Sequence, residues 1–392
     1  MINAGLPAGL GINIHFTSPR PHEMDQLAVS GVKWVRMDLA WSDTERARDQ
    51  YDFRAYDTLM KALDQKGMRA ILILDYGNPL YDQGQAPRTE EGRAAFTKWA
   101  VAAVTHFRNK GVVWEMWNEP NGSFWKPKPD AAAYSKLATE VGKALQDRMT
   151  DEIFIGPGTS GIDLAFLESC FRAGCLRYWS AVSVHPYRPF VPETAAPDYQ
   201  RVRELILKYA PTGRHINLIC SEWGYPSVVW QHSATQQAKF LAREWLTNLS
   251  CGIPLSIWYD WRDDGTSMMD PEHHFGIVGF KYHPDGSAPF DPKPAYFAAN
   301  ALTRLLSGFH FDHSLPTANA DDYALSFRDG EEERFVVWTD RAAHKASVPI
   351  HEGTFSAYSF LGDAGARLSA NYSGLTVTLS DAPLFLIPEQ KH

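Results

Sequence analysis

The chain has 392 residues, 44% hydrophobic and 21% charged, with 38 Lys and Arg against 46 Asp and Glu for a net charge of −8. A mildly acidic chain without a long basic run carries no electrostatic footprint for nucleic acid or an anionic membrane. No stretch is long and apolar enough to span a bilayer as a helix, and the four cysteines (Cys170, Cys175, Cys220, Cys251) match no zinc or CxxC spacing and read as reduced, buried thiols.

Eight short apolar runs are predicted as strands: Gly11–Phe16, Trp34–Trp41, Ile71–Tyr76, Val113–Glu119, Ile153–Gly156, Val182–Tyr187, Leu218–Trp223 and Leu255–Trp261. Between them lie stripes of helical period. Tyr56, Leu59, Met60 and Leu63 form one; Tyr134, Leu137, Ala138, Val141 and Leu145 form another. Alternating β and α units imply a parallel sheet, and eight of them fit a closed (β/α)8 TIM barrel better than an open sheet. No GxGxxG follows the first strand, which argues against a dinucleotide fold. After Gly308 the pattern changes. Tyr323–Phe327, Arg334–Thr339, Ser347–Ile350, Phe355–Phe360 and Leu375–Leu379 are short and β-rich, with turn residues between them. The expectation is an α/β barrel over 1–309 and a small antiparallel β domain over 310–392, since the length exceeds what one core usually serves. Met1 stands a few residues before the first strand, so no signal peptide is visible.

The active site of such a barrel lies at the C-terminal ends of its strands. Two strands end there in a glutamate: Trp114-Glu115-Met116-Trp117-Asn118-Glu119-Pro120-Asn121 and Cys220-Ser221-Glu222-Trp223-Gly224-Tyr225. Pro120, which cannot donate to a ladder, is expected to stop the fourth strand just beyond Glu119. A single Glu at a strand end is as readily a salt-bridged rim residue. Two carboxylates facing each other across the mouth suit cleavage of a glycosidic bond, in which one donates a proton and the other attacks carbon or activates water.

With Asn118-Glu119-Pro120 closing strand 4 and Glu222 ending strand 7, the chain resembles the retaining glycosidases of clan A. It is most similar to glycoside hydrolase family 39, and within it to bacterial exopolysaccharide hydrolases and β-xylosidase-like members. WNEPN, SVHPY, SEWGY and SIWYDW each fall at the matching strand end. The resemblance implies Glu119 as acid/base and Glu222 as nucleophile. It implies substrate contacts for Asn118 (to the sugar 2-hydroxyl), Arg36 (beside the nucleophile), His185 and Tyr187 (to both carboxylates) and Trp258 (a platform under the sugar). Strand 3 departs from the pattern, ending in Asp75 where many clan members carry His; Asp75 is a candidate to bind a sugar hydroxyl or to pair with Arg36, or else a satisfied core residue. Asp38, Trp41, Trp125, Trp261 and His15 are further candidates to line subsites.

The long segment from about Arg262 to Pro292 is rich in Asp and His, yet its spacing fits neither a calcium loop nor HExxH. No metal and no cofactor is therefore expected. The reading is a retaining, endo-acting hydrolase of a bacterial or plant polysaccharide, monomeric and extracellular or periplasmic. An exo-acting β-xylosidase-like enzyme, a transglycosylase, a barrel metallohydrolase and a non-catalytic sugar-binding barrel are the alternatives.

Overall fold

A computed structural model describes residues 5–228 and 230–389; Met1, on which the reading of a missing leader rests, lies outside them. Eight parallel strands close into a barrel: β1 (Leu10–Asn13), β2 (Trp34–Ala40), β3 (Arg69–Asp75), β4 (Val113–Met116), β5 (Ile153–Ser160), β6 (Ala181–His185), β7 (Asn217–Trp223) and β8 (Ser256–Trp258). Each is followed by a helix: α1 (Glu23–Val29), α2 (Arg54–Gln65), α3 (Glu90–His106), α4 (Ala131–Gln146), α5 (Leu164–Arg172), α6 (Ala196–Tyr209), α7 (Ala234–Ser250) and α8 (Pro294–Leu305). The TIM barrel is thus present as expected. Its helices start where short polar side chains cap them: Thr89, Asp130, Asp163 and Ser233 each accept a bond from the first turn.

The barrel interior changes character along its axis. At the base, Trp34, Ile71, Val113, Ile155, Ala181, Ile219, Leu255 and Ile257 form a closed apolar plug. Strand residues alternate with period two, so the next inward positions follow from these. Trp34 leads to Arg36 and Asp38, Ile71 to Ile73 and Asp75, Val113 to Glu115, and Ala181 to Ser183 and His185. The polar residues therefore sit above the plug, towards the C-terminal mouth.

Several strand ends differ from expectation. Strand β4 stops at Met116, not beyond Glu119, because Trp117 and Glu119 take left-handed φ of 71° and 47° and leave the ladder before Pro120 is reached. Strand β8 likewise ends at Trp258 rather than Trp261. The segment 262–292 is not one loop: it holds a 3-10 turn (Pro271–His274) and a strand pair, Val278–Tyr282 with Phe290–Pro292.

Beyond the barrel come β9 (His310–Ser314), β10 (Asp322–Asp329), β11 (Glu332–Thr339), β12 (His344–Val348), β13 (Gly353–Tyr358), β14 (Ala364–Ala370), β15 (Leu375–Leu379) and β16 (Leu384–Pro388). Six make an antiparallel sheet in the order β9-β10-β11-β16-β13-β14, and β12 pairs with β15. Strands β9, β14 and β16 were not predicted. The first and second are exposed edges without an apolar run; Leu384–Pro388 is apolar but flanked by Pro383 and closed by Pro388. Alternation divides the large sheet. Leu325, Phe327, Val336, Trp338 and Phe385 join the barrel's own apolar cluster. Ala324, Phe335, Val337 and Leu386 pack the other way, with Val348, Leu375 and Val377 of the small sheet.

Candidate active site

Arg36 organises the mouth of the barrel. It is 1% exposed, and all five of its N–H donors are used. Its Nε donates to Glu115 Oε2 at 2.7 Å. Nη1 donates to Asn13 Oδ1 at 3.3 Å and to Glu222 Oε2 at 2.5 Å. Nη2 donates to Asn118 Oδ1 at 2.8 Å and faces His185 Nε2 at 3.3 Å.

Because a guanidinium can only donate, it also settles the orientation of its partners. Asn118 must turn its carbonyl to Arg36, leaving its NH2 free to donate elsewhere. His185 must accept at Nε2, so its proton sits on Nδ1, which donates to Glu119 Oε1 at 3.0 Å. One buried cation thereby positions Glu222 directly and Glu119 through His185.

Glu222 is held at both oxygens, since Tyr187 Oη donates to Oε1 at 2.9 Å. Its inward aim comes from an irregularity in β7. Cys220 pairs with Ser256 but Trp223 with Trp258, so one extra residue lies in β7 between them. Such a bulge re-aims side chains, and Glu222 joins the inward face next to Ser221. Glu119 is set by a second irregularity, in β5 at Gly158. Its backbone N–H donates to Gly158 O at 2.9 Å. Gly158 has φ of 58°, and a Cβ there would come within 3.0 Å of Glu115 Oε1 and 3.2 Å of His185 Nε2.

One carboxylate oxygen each from Glu119 and Glu222 and one ring nitrogen of His185 lie within 4.8 Å of one another. Burial alone would raise the Glu119 carboxyl. The hydrogen bond from His185 Nδ1–H and the positive charge of Arg36 outweigh it and hold Glu119 below its ordinary value. The same contest, with Arg36 the chief opponent of burial, lowers Glu115.

These groups open on a cavity of about 470 Å³, lined by Arg36, Asp38, Asn118, Glu119, Tyr187 and Glu222 among the candidates read from sequence. His15 lines it too. Partial desolvation opposes protonation of this half-exposed ring, but Asp260, 3.4 Å away, raises it to about 9. His15, Asp260 and Asp264 bring three ligand-type atoms within 4.8 Å, yet the positive charge in that group is then the imidazolium of His15 itself. Asp75, expected to bind a sugar hydroxyl or pair with Arg36, is corrected to a fully buried position outside the cavity lining, without a bond to Arg36. Burial and the neighbouring Asp38 carboxylate raise it well above its ordinary value.

The tryptophans are placed otherwise than expected. Trp41, Trp125, Trp258 and Trp261 are each 1% exposed or less and are absent from the cavity lining. Trp41 stacks on Tyr81 at 4.9 Å. Trp125 packs on Trp117 and Tyr134. Trp261 donates to Glu23, and Trp258 Nε1 approaches Phe275 O at 3.4 Å. A ring with no accessible face offers no sugar platform, so these four are corrected to packing roles. The aromatic rings that do line the cavity are Tyr187, as expected, and Tyr76, Phe124, Tyr259 and Phe275. Tyr259 is one residue from Trp258, and successive strand residues point to opposite sides.

Asn13, Glu115 and Ser160 were missed, although Glu115 and Asn13 had a signal, being polar residues at inward strand positions. Glu272 lies in the polar segment after β8 that the sequence singles out for hydroxyl contacts or a solvated loop, and the fold of 262–292 brings it and Phe275, which had no signal, to the mouth.

A parallel barrel with paired glutamates at its mouth defines a glycoside hydrolase. Residues 10–264, well over half of the chain, match the family model described as Cellulase (glycosyl hydrolase family 5), and the chain belongs to that family. Family 5 is itself a clan A family, so the resemblance read from the strand ends holds at the level of the clan. Among curated proteins none matches. Among solved structures the fold is shared with a family 39 glycoside hydrolase from Bacteroides cellulosilyticus WH2 (TM-score 0.84, 24% identity, 97% of this chain and 81% of that one). It is shared with a family 39 β-xylosidase from Caulobacter crescentus (TM-score 0.69, 18% identity, 100% and 98%). A family 30 endoxylanase from Clostridium papyrosolvens also has it (TM-score 0.65, 14% identity, 99% and 98%).

Proposed function

We propose that the protein is a retaining, endo-acting hydrolase of a polysaccharide, with Glu222 as nucleophile and Glu119 as acid/base. The observation that carries this reading is the approach of the two side chains to within 4.8 Å. Retaining enzymes hold their carboxyls about 5–5.5 Å apart, and inverting ones leave about 6.5–9.5 Å for a water. Glu222 attacks the anomeric carbon as Glu119 protonates the departing oxygen and the glycosidic C–O bond breaks. Glu119, now ionised, takes a proton from water, whose oxygen displaces Glu222. The NH2 of Asn118, freed by Arg36, faces the sugar 2-hydroxyl, a contact that strengthens in the transition state. Entry of the sugar excludes water and deepens the burial of Glu119, which pushes its carboxyl towards the protonated form.

Endo action is supported by the size of the cavity, within the range of about 300–1000 Å³ that encloses ligands larger than one ring. It is supported as well by exposed rings on the loops after β4, β6 and β7, namely Phe124, Phe190 and Trp230 (43, 67 and 56% exposed). Such rings suit stacking on a chain that runs past the mouth. A polymer substrate also assigns the protein to an extracellular or periplasmic setting, and a monomer suffices for the site.

The test is reducing-end release and product size over a panel of plant and bacterial polysaccharides, with Glu222→Gln beside the native protein. Short oligosaccharides, first released in the anomeric form of the substrate and lost by at least about 10³-fold in the variant, are expected. Inverted product, or equal activity in Glu222→Gln, would overturn the assignment; monosaccharide as the sole product would replace endo by exo action.

A further inference from the structure

The charges around the mouth do not balance, and the imbalance bears on which sugars can enter. Arg36 and His15 are the cations among the described residues lining the cavity, and each already faces a carboxylate of this chain that offsets its charge. Arg36 has spent all five donors, two of them on the carboxylates of Glu115 and Glu222. His15 is paired with Asp260. The cations just behind are engaged as well: Arg262 with Glu23, and Lys293 with Asp263 at 2.8 Å.

Two carboxyl groups of the wall remain without a cationic partner of their own. Asp38 lines the cavity and is bonded to Asp75. Neither oxygen of Asp75 meets a donor among the described residues. Two buried carboxyls in contact are satisfied only if they share a proton, so the pair presents one negative charge to the cavity. Glu272, on the 3-10 turn after β8, is an exposed residue of the same lining, with Glu222 and Glu119 as neighbouring charges.

We infer that the reacting subsite takes neutral or amine-bearing sugars and rejects uronic acids. This inference rests on the glycosidase reading above. A uronate carboxylate would enter a pocket lined by Asp38, Glu222 and Glu272 with no free guanidinium or ammonium to meet it. One such like-charge pair about 6 Å apart, at an effective dielectric near 20, weakens binding roughly a hundredfold. A sugar hydroxyl or ammonium in the same place instead donates to Asp38.

The probes are barley β-glucan, xylan and galactomannan (neutral), chitosan (amine-bearing), and polygalacturonate and alginate (uronate). Product is expected from at least one of the first four, and at least about a hundredfold less from either uronate polymer. Release from polygalacturonate or alginate at a rate comparable with a neutral polymer would overturn the inference and leave the glycosidase reading intact. Release from none of the six would count against the glycosidase reading, and the inference falls with it. Where a neutral polymer is cut, Glu272→Gln, at an exposed position that does not endanger the fold, is expected to narrow the gap to its C6-oxidised form several-fold. An unchanged gap would remove Glu272 from the argument.

Discussion

His185 carries the most consequential local balance in the site. Arg36 fixes its tautomer, and its Nδ1–H then holds Glu119 in a form that favours ionisation. An acid catalyst works only while protonated, so a lowered Glu119 makes kcat/KM decline as pH rises through that lowered value, and the free enzyme should favour acidic solution. Replacing His185 with Ala removes the hydrogen bond that chiefly opposes the effect of burial on Glu119. The alkaline limb of kcat/KM should then move to higher pH, while kcat falls because Glu119 is less well placed. Full pH profiles of the two proteins check this; a limb that stays put, or moves down, would disconnect His185 from Glu119. None of this is visible in SVHPY as a motif, which names the residue but not the nitrogen that bears the proton.

At the scale of the strand, two irregularities do the aiming. One is in β7 ahead of Trp223 and the other in β5 at Gly158. Gly158 and Gly161 offer a matched comparison, with φ of 58° and 65°. A Cβ at Gly158 meets Glu115 and His185, whereas one at Gly161 meets nothing within 4 Å. Gly158→Ala and Gly161→Ala should each cost about 1–2 kcal/mol for the left-handed backbone. Gly158→Ala alone should abolish most activity, by displacing His185 and Glu115. Thermal unfolding and product release on both variants measure the two effects separately, and equal activity in the two would show that crowding at Gly158 does not matter. Position at a strand end made Asp38 and the two glutamates legible in the sequence, and the family resemblance added Arg36. Bulges were not legible, because one extra residue in a strand leaves no mark in a pattern of apolar runs.

For the whole molecule, the C-terminal sheet is tied to the barrel by apolar burial and by a buried charge pair. Arg243 of α7 makes two bonds to Glu193, at 2.7 and 2.8 Å, and both side chains are at most 3% exposed. Trp338 of β11 donates to the same Glu193 at 2.6 Å. Glu193→Gln keeps the shape but leaves Arg243 charged and buried. A loss of about 3–5 kcal/mol in denaturant unfolding is expected, and a change within ~0.5 kcal/mol would show that water or a neighbour satisfies Arg243. We propose that the division at 309/310 separates two chain topologies that share a core, since Phe327, Val336 and Trp338 complete the barrel's apolar cluster.

The sequence by itself determined the order of eight strands and helices, the closed barrel, and the two strand ends that carry Glu119 and Glu222. It could do so because hydrophobic period and strand-end chemistry are local properties of the chain. Only the tertiary structure decided which aromatic rings face the cavity, that Glu115 and Asn13 share Arg36 with Glu222, and that Asp75 stands behind Asp38. Those facts depend on which strands become neighbours and on one-residue shifts in their register, and a shift of one residue turns a side chain from the core to the cavity.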